Sequence, residues 1–496
     1  MNPSLASLIC VCGTAGLFYL NRDDSVRTSK ALWLPVIYLW IVGSRSLSTW
    51  LGVAPANGTN VQLDGSPVDA LFFGLLLGVA IIVLFFRSKS KAIGTLLTTN
   101  WLILIYFLYC LVSISWAYYP DVGLKRWIKS IDDLVMVLLI VTDDEPLAAF
   151  KRLISRVGFV LLPASILFIK YYGDLGRGYD PSGGQMNTGV TTNKNSLGLI
   201  VLVVTLATLW NFRGLLINKD APNRGRRLVA QGTLLAFGLV LLEMADSATC
   251  IACFFLGAGL MFATSLRAIR NRPGTVHALC LGILLIGGLA TLFAGSVVTG
   301  SLGRKSNLSG RTEIWAAVIP AVSNSIVGDG YDSFWIGPDE KKVVRSLVGW
   351  WHPEDLNEAH NGYIETYLNL GWIGVCLIAL ILLSGYKRTI AAFRLDRTIG
   401  GMLLAYVVVA AVYNITESGF GSPHLMWFFL LLAIAGATGV CAGFFGDGIH
   451  ASRGAAVTRK AAVDKRISGS GTVIAVRNAG EYAPRIRGLS QMDPER

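Results

Sequence analysis

The chain has 496 residues, 53% of them hydrophobic and only 15% charged, with a mean hydropathy of +0.55 and a formal charge of +12. Soluble domains carry charge on about a quarter of their residues, so this composition excludes a mostly soluble protein. The positive charge sits in short, separated clusters without interleaved aromatics, which argues against a nucleic-acid partner.

Crossing the hydrocarbon core takes about 20 apolar residues. Segments of that kind are predicted near 4–20, 31–51, 68–86, 96–118, 127–142, 154–172, 195–213, 227–245, 248–266, 276–298, 361–384, 400–415 and 424–445. The expected fold is all-α, a polytopic integral membrane bundle of 12–13 transmembrane helices with one long extracytoplasmic loop at 299–360. The first segment lacks a basic lead and a small-residue cleavage site, so it is expected to be an anchor rather than a signal peptide. Residues 1–446 form the membrane domain, and 447–496 return to soluble composition as a basic, disordered cytoplasmic tail.

Basic residues fall in alternate connections: Arg22 to Lys30, Arg87 to Lys91, Lys151 to Arg156, Arg213 to Arg227, Arg267 to Arg272 and Lys387 to Arg397. By the positive-inside rule these connections face the cytoplasm. The 299–360 connection then lies on the outer face. Two stretches interrupt the rhythm of span and short loop. Residues 173–194, rich in Gly and polar side chains, read as an irregular outer loop. The 299–360 connection holds a helical pattern at 310–324 that Pro320 bends or ends, and its many aromatics argue against disorder.

The eight cysteines lie in or beside apolar segments, and Cys250 with Cys253 reads as packing rather than a zinc pair. Neither a metal nor a cofactor is expected. Paired acids such as Asp132 and Asp133 lack the Gly-rich phosphate loop that a nucleotide-sugar donor would require. A donor embedded in the bilayer fits better.

If that donor is a saccharide on a polyprenyl pyrophosphate, the leaving group is a multiple anion that Arg and Lys must meet. Outer-face candidates are Arg311, Lys194, Arg45, Lys125 and Arg126. The attacking hydroxyl needs a proton acceptor, and His360, at the head of HNGYIETYLNLGWIG, suits a general base. Asn361, Tyr363 and Tyr367 follow at helical spacing to hold sugar hydroxyls or stack on a ring, and Glu313, Glu365 and Glu417 are carboxylates on the same face. Each signal has a blander reading, as a helix cap, a headgroup contact or simple packing. Their convergence on one face favours the functional reading.

The run at 360–374, with its GxxG, resembles the histidine motif of the O-antigen ligase and exopolysaccharide polymerase family, and SGRTEIW at 309–315 is similar to that family's Gly-Arg-x-x-x-Trp element. Weaker echoes occur at 44–52, 64–69, 113–127, 191–198, 246–249 and 414–418. The resemblance implies a glycosyltransferase of the bacterial inner membrane. Its chemistry would be metal-independent and inverting, drawing on undecaprenyl-pyrophosphate-linked oligosaccharide at the periplasmic face. His360 matches the family base and Arg311 the pyrophosphate-binding arginine, while Lys194 stands where relatives carry arginine. A polymerase joining repeat units is expected, the alternative being a ligase that passes the glycan to lipid A core or another acceptor. The implied partners are the lipid-linked substrate, the bilayer, and chain-length, flippase and export proteins. A transporter is the competing class. Its signature would be ionisable residues facing one another at mid-membrane, and the candidates Asp132, Asp133, Glu243 and Asp246 are predicted near span ends.

Overall fold

The computed structural model describes residues 2–53, 63, 65–179, 183–270, 273–293, 311–337, 343, 356–421 and 423–445. The tail at 447–496 and much of the 299–360 connection lie outside these residues.

The described chain is almost entirely helical. Its main helices are α1 (Pro3–Leu20), α2 (Trp33–Val42), α3 (Pro67–Phe86), α4 (Ser90–Thr99), α5 (Trp101–Ser113), α6 (Pro120–Val141), α7 (Pro146–Tyr171) and α8 (Lys194–Ile217). They continue with α9 (Arg224–Met244), α10 (Ala248–Ser265), α11 (Pro273–Phe293), α12 (Arg311–Val318), α13 (Gly362–Leu395), α14 (Arg397–Tyr413) and α15 (Leu425–Cys441). Helix starts follow local chemistry. Pro opens α1, α3, α6 and α7, where its missing N–H costs nothing. Side chains of Asn193, Asn361 and Asp396 accept from the free amides of α8, α13 and α14.

Each predicted apolar segment is occupied by helix. Seven helices are long and apolar enough to cross a membrane, or eight if α4 and the following segment, bent by 75° at Asn100, form one broken span. Four shorter apolar helices account for other predicted segments. The crossings supported by length and composition are thus fewer than the predicted segments. The physical reason is that α2, α14 and α15 are short, and α6 carries Asp121, Lys125, Arg126, Lys129, Asp132 and Asp133. Helix α8 is the most enclosed of the candidate spans, whereas α1 and α3 leave most of their surface uncovered, as lipid-facing helices do.

The helices alternate in direction, and the contacts at their ends define two poles. At one pole the basic loops meet: Arg227 pairs with Asp23 at 2.7 Å and Lys89 with Asp144 at 3.0 Å, and Arg152 donates to the Asp23 carbonyl and to Thr28. This is the grouping predicted from the charge pattern. At the opposite pole lie the starts of α8, α10, α13 and α15 and the 173–194 and 311–360 connections. There the irregular loop predicted at 173–194 contains a short helix, Gly173–Gly176, and an antiparallel hairpin pairing β1 (Arg177–Tyr179) with β2 (Gln185–Asn187). Hairpin pairing satisfies backbone groups that a Gly-rich sequence signals poorly.

The described parts of the outer connection are docked on the bundle. Helix α12 stops at Val318 and passes into a 3-10 turn, Ile319–Ala321, around Pro320. Ile314, Val318, Phe334, Val343, Ala359 and Leu368 form a small core of their own, flanked by Trp315 and Trp335. Gly371 then interrupts α13 with φ 60 and ψ −164. The break frees amides that the loop uses: Trp372 N donates to the Ser325 carbonyl at 2.9 Å and Ile373 N to Ile326 at 3.2 Å. A side chain at 371 would collide with the Ile326 backbone, so the first glycine of the GxxG is where loop meets helix.

Candidate active site

The site is built on the turn that enters α13. His360 has φ 49, a left-handed conformation that glycine adopts at lower cost than any other residue. A histidine held there against that preference is a signature of side-chain use. The next residue locks the turn. Asn361 Oδ1 accepts from Tyr363 N and Ile364 N, its Nδ2 donates to the Ile415 carbonyl at 2.8 Å, and its own N–H goes to Ser418 Oγ. Gly362 N donates to both Asn414 and Glu417 carbonyls. The turn between α14 and α15 is therefore wrapped tightly around residues 360–362.

Helix α12 reaches the same turn through two residues one helical turn apart. Trp315 Nε1 donates to the Ala359 carbonyl at 2.8 Å, fixing the helix beside His360. Arg311 lies on the same face and donates to Glu417 Oε1 at 2.8 Å and to the Thr416 carbonyl. The Gly-Arg-x-x-x-Trp spacing is thus an anchor and a working cation on one helix face.

Glu417 is the hub. It is 2.8 Å from Arg311, 3.8 Å from His360 Nδ1, and within 3.4 Å of Asn195 Nδ2 at the start of α8. Glu358, two residues before the histidine, comes to 2.8 Å of the same Nδ1. The His360 and Glu358 side chains keep 30% and 41% of their surface, against 6% for Glu417, so these two form the accessible edge of the cluster.

Burial works against charge on His360, but the two facing carboxylates outweigh it and raise the imidazole to about 9, even with Arg311 opposing. Burial alone would raise Glu358, yet His360 pulls its carboxyl below the ordinary range. The two carboxylates therefore favour the protonated ring at neutral pH.

Other sequence motifs meet at this pole. Thr249 and Thr416 share a hydroxyl contact of 2.8 Å, joining the 246–249 and 414–418 segments. Arg45 donates to the Thr191 and Leu175 carbonyls and lies over the Trp50 ring, clamping the 173–191 loop. Lys194 begins α8 next to Asn195, half-buried and without an ion pair among the described residues.

Further predicted residues hold the surroundings. Glu365 accepts from Trp335 Nε1 and Ala359 N. Tyr363 donates to the Ala411 carbonyl and packs on Phe420, and Tyr367 packs edge-on against Trp372. Glu313 accepts from Thr312 on the exposed side of α12. Arg126 is turned away to Asp332, at 3.1 Å, and Lys125 is exposed beside it. The structure does not bring those two to the His360 cluster.

Sequence reasoning missed Glu358, Asn195 and Thr416. The acidic run before His360 was the available signal for the first. Asn195 and Thr416 carried none beyond their segments. His424 is a further residue of this pole; its Nδ1 accepts from Met426 N to cap α15.

Residues 231–379, which include both Arg311 and His360, match the family described as O-antigen ligase. The chain is also 26% identical over 385 residues to the exopolysaccharide production protein ExoQ of Rhizobium meliloti (strain 1021), across 74% of this chain and 81% of that protein. The chain is thus a multi-pass helical membrane protein similar to the O-antigen ligase family over residues 231–379 and to an exopolysaccharide production protein over most of its length.

Proposed function

We propose that this protein is a polysaccharide polymerase. It joins oligosaccharide units carried on undecaprenyl pyrophosphate at the outer face of the inner membrane, without a metal and with inversion at the transferred sugar. The observation that carries the reading is the joining of Arg311 and His360 through Glu417 at a pole where several motif segments meet. Arg311 offers two donors to pyrophosphate oxygens in the fork geometry that suits them, and Lys194 adds charge nearby. In the reaction the acceptor hydroxyl oxygen attacks the anomeric carbon, the carbon–oxygen bond to pyrophosphate breaks, and the hydroxyl proton passes to His360. Because the carboxylates hold a proton on the ring, the base role requires the imidazolium first to pass that proton to Glu358, 2.8 Å from Nδ1. An anion that arrives at Arg311 and draws it from Glu417 removes the charge opposing the imidazolium, so it favours the protonated ring over the neutral one.

Two further readings rest on specific observations. The matched family's description supports a ligase that transfers the glycan to lipid A core or another acceptor. The raised imidazole supports a second role for His360, as a cation on the leaving pyrophosphate rather than as base. The test is purified protein in detergent with lipid-linked oligosaccharide and chelator. Longer glycans with release of free polyprenyl pyrophosphate support the polymerase. Transfer only to an added lipid A core identifies the ligase, and no transfer to either overturns both.

A further inference from the structure

The interior of the bundle holds a second ionisable cluster, well removed in sequence from His360. Asp132 and Asp133, predicted near a span end, fall in the middle of the 22-residue helix α6. Both are buried, Asp132 at 1% exposure and Asp133 at 0%. Their surroundings differ. Tyr38 of α2 donates to Asp133 Oδ1 at 2.7 Å. Both carboxylate oxygens of Asp132 are sealed from solvent and have no hydrogen-bond partner.

The charge balance around Asp132 is incomplete. The charged groups acting on it are Asp133 and Lys129. Lys129, whose ammonium sits 4.4 Å over the Phe73 ring, is shared with Asp69 of α3 and with Asp332 of the outer loop, and is opposed by Arg126. Helices α7 and α15 also pack on α6 and add no charge to that set. Asp132 thus shares its neighbouring cation with two other carboxylates, Asp69 and Asp332. An ionised, unpaired carboxylate in such a place carries a desolvation cost that proteins avoid by neutralising the group. A buried carboxyl with neither a hydrogen-bond partner nor a cation of its own is a candidate proton site.

We propose that Asp132 is an interior proton-binding site, its carboxyl carrying a bound proton at neutral pH between α2, α3 and α6. The proton removes one of two neighbouring negative charges. A sodium ion would serve the same balance, but an ion needs several oxygen ligands, and Tyr38, the hydroxyl at hand, is already committed to Asp133. The proposal does not rest on the glycosyltransferase reading.

The test is infrared spectroscopy of the full chain in lipid nanodiscs, following the C=O stretch of protonated carboxyl through a pH titration in sodium and in choline chloride. The expected result is a protonated-carboxyl band at pH 7 that is the same in both salts, disappears in Asp132→Asn and shifts in Asp132→Glu. Loss of that band in sodium but not in choline would make the site a cation site and overturn the proposal. A pH 7 spectrum unchanged by either substitution would overturn it too. A melting series supplies a second measurement: Asp132→Asn is expected to outlast wild type at pH 6, where the unfolded carboxyl is already ionised, and by a larger margin at pH 10. Equal melting of the two proteins at both pH values counts against a bound proton.

Discussion

The two poles of the bundle use charge in opposite ways. At the basic pole, cations are committed to fixed anions or carbonyls: Arg227 to Asp23 at 2.7 Å, Arg87 to Asp143 at 3.5 Å and the Leu139 carbonyl at 2.7 Å. At the other pole, Arg311 and His360 share Glu417, and Glu358 presses on the same imidazole. Committed pairs hold loops in place. Shared pairs can be exchanged when a stronger anion arrives, and that is the property a pyrophosphate site requires.

His360→Ala should break the comparison most sharply. Loss of a base or of a cation on the leaving group is expected to lower turnover roughly 10²- to 10⁴-fold, with a modestly lower melting temperature at neutral pH, because Glu358 and Glu417 lose the ring they pair with. Glycan length on gels and the thermal melt read the two effects together. Arg311→Ala should follow at about 10²- to 10³-fold. Arg311→Lys is expected to recover only part of the rate, since lysine keeps the charge and loses the fork. Full recovery by lysine would mean that the bidentate geometry is unused.

Arg227→Ala is the converse case at the basic pole. It leaves Asp23 without its cation and is expected to cost about 1–3 kcal/mol of stability, read by denaturation in detergent, while turnover stays near wild type. A comparable loss of turnover would erase the distinction between the poles.

Acidity gives the finest discrimination. His360 is raised from 6.5 to about 9, so its ion pairs contribute fully below the unfolded value and are lost as pH climbs through the folded one. Resting-state stability is therefore expected to decline between about pH 6.5 and 9, and this decline should vanish in His360→Gln. For kcat/KM, a base must be neutral, so the rate rises with pH through that window. A cation on pyrophosphate must be protonated, so the rate falls. The sign of that limb separates the two roles.

Legibility differed between fold and site. Apolar runs of the right length are enough to place membrane helices: helix occupies the described part of each predicted segment, and among the described residues seven or eight helices qualify as crossings. Arg311, His360 and Glu417 were legible as outer-face polar residues, and the structure joins them. Lys125 and Arg126 looked equally good by face and charge, yet Arg126 serves Asp332 and holds the loop. Face alone does not fix which way a long cationic side chain turns.

Composition and charge spacing by themselves determined a polytopic helical protein with basic loops at one end, because solvation by hydrocarbon constrains every residue of a crossing independently of its neighbours. The pairing of α12 with the start of α13, the placement of Glu417 between two cations, the break at Gly371 and the burial of Asp132 were decided by tertiary structure alone. Those features depend on segments far apart in the chain meeting within a few ångströms, and no local pattern encodes that distance.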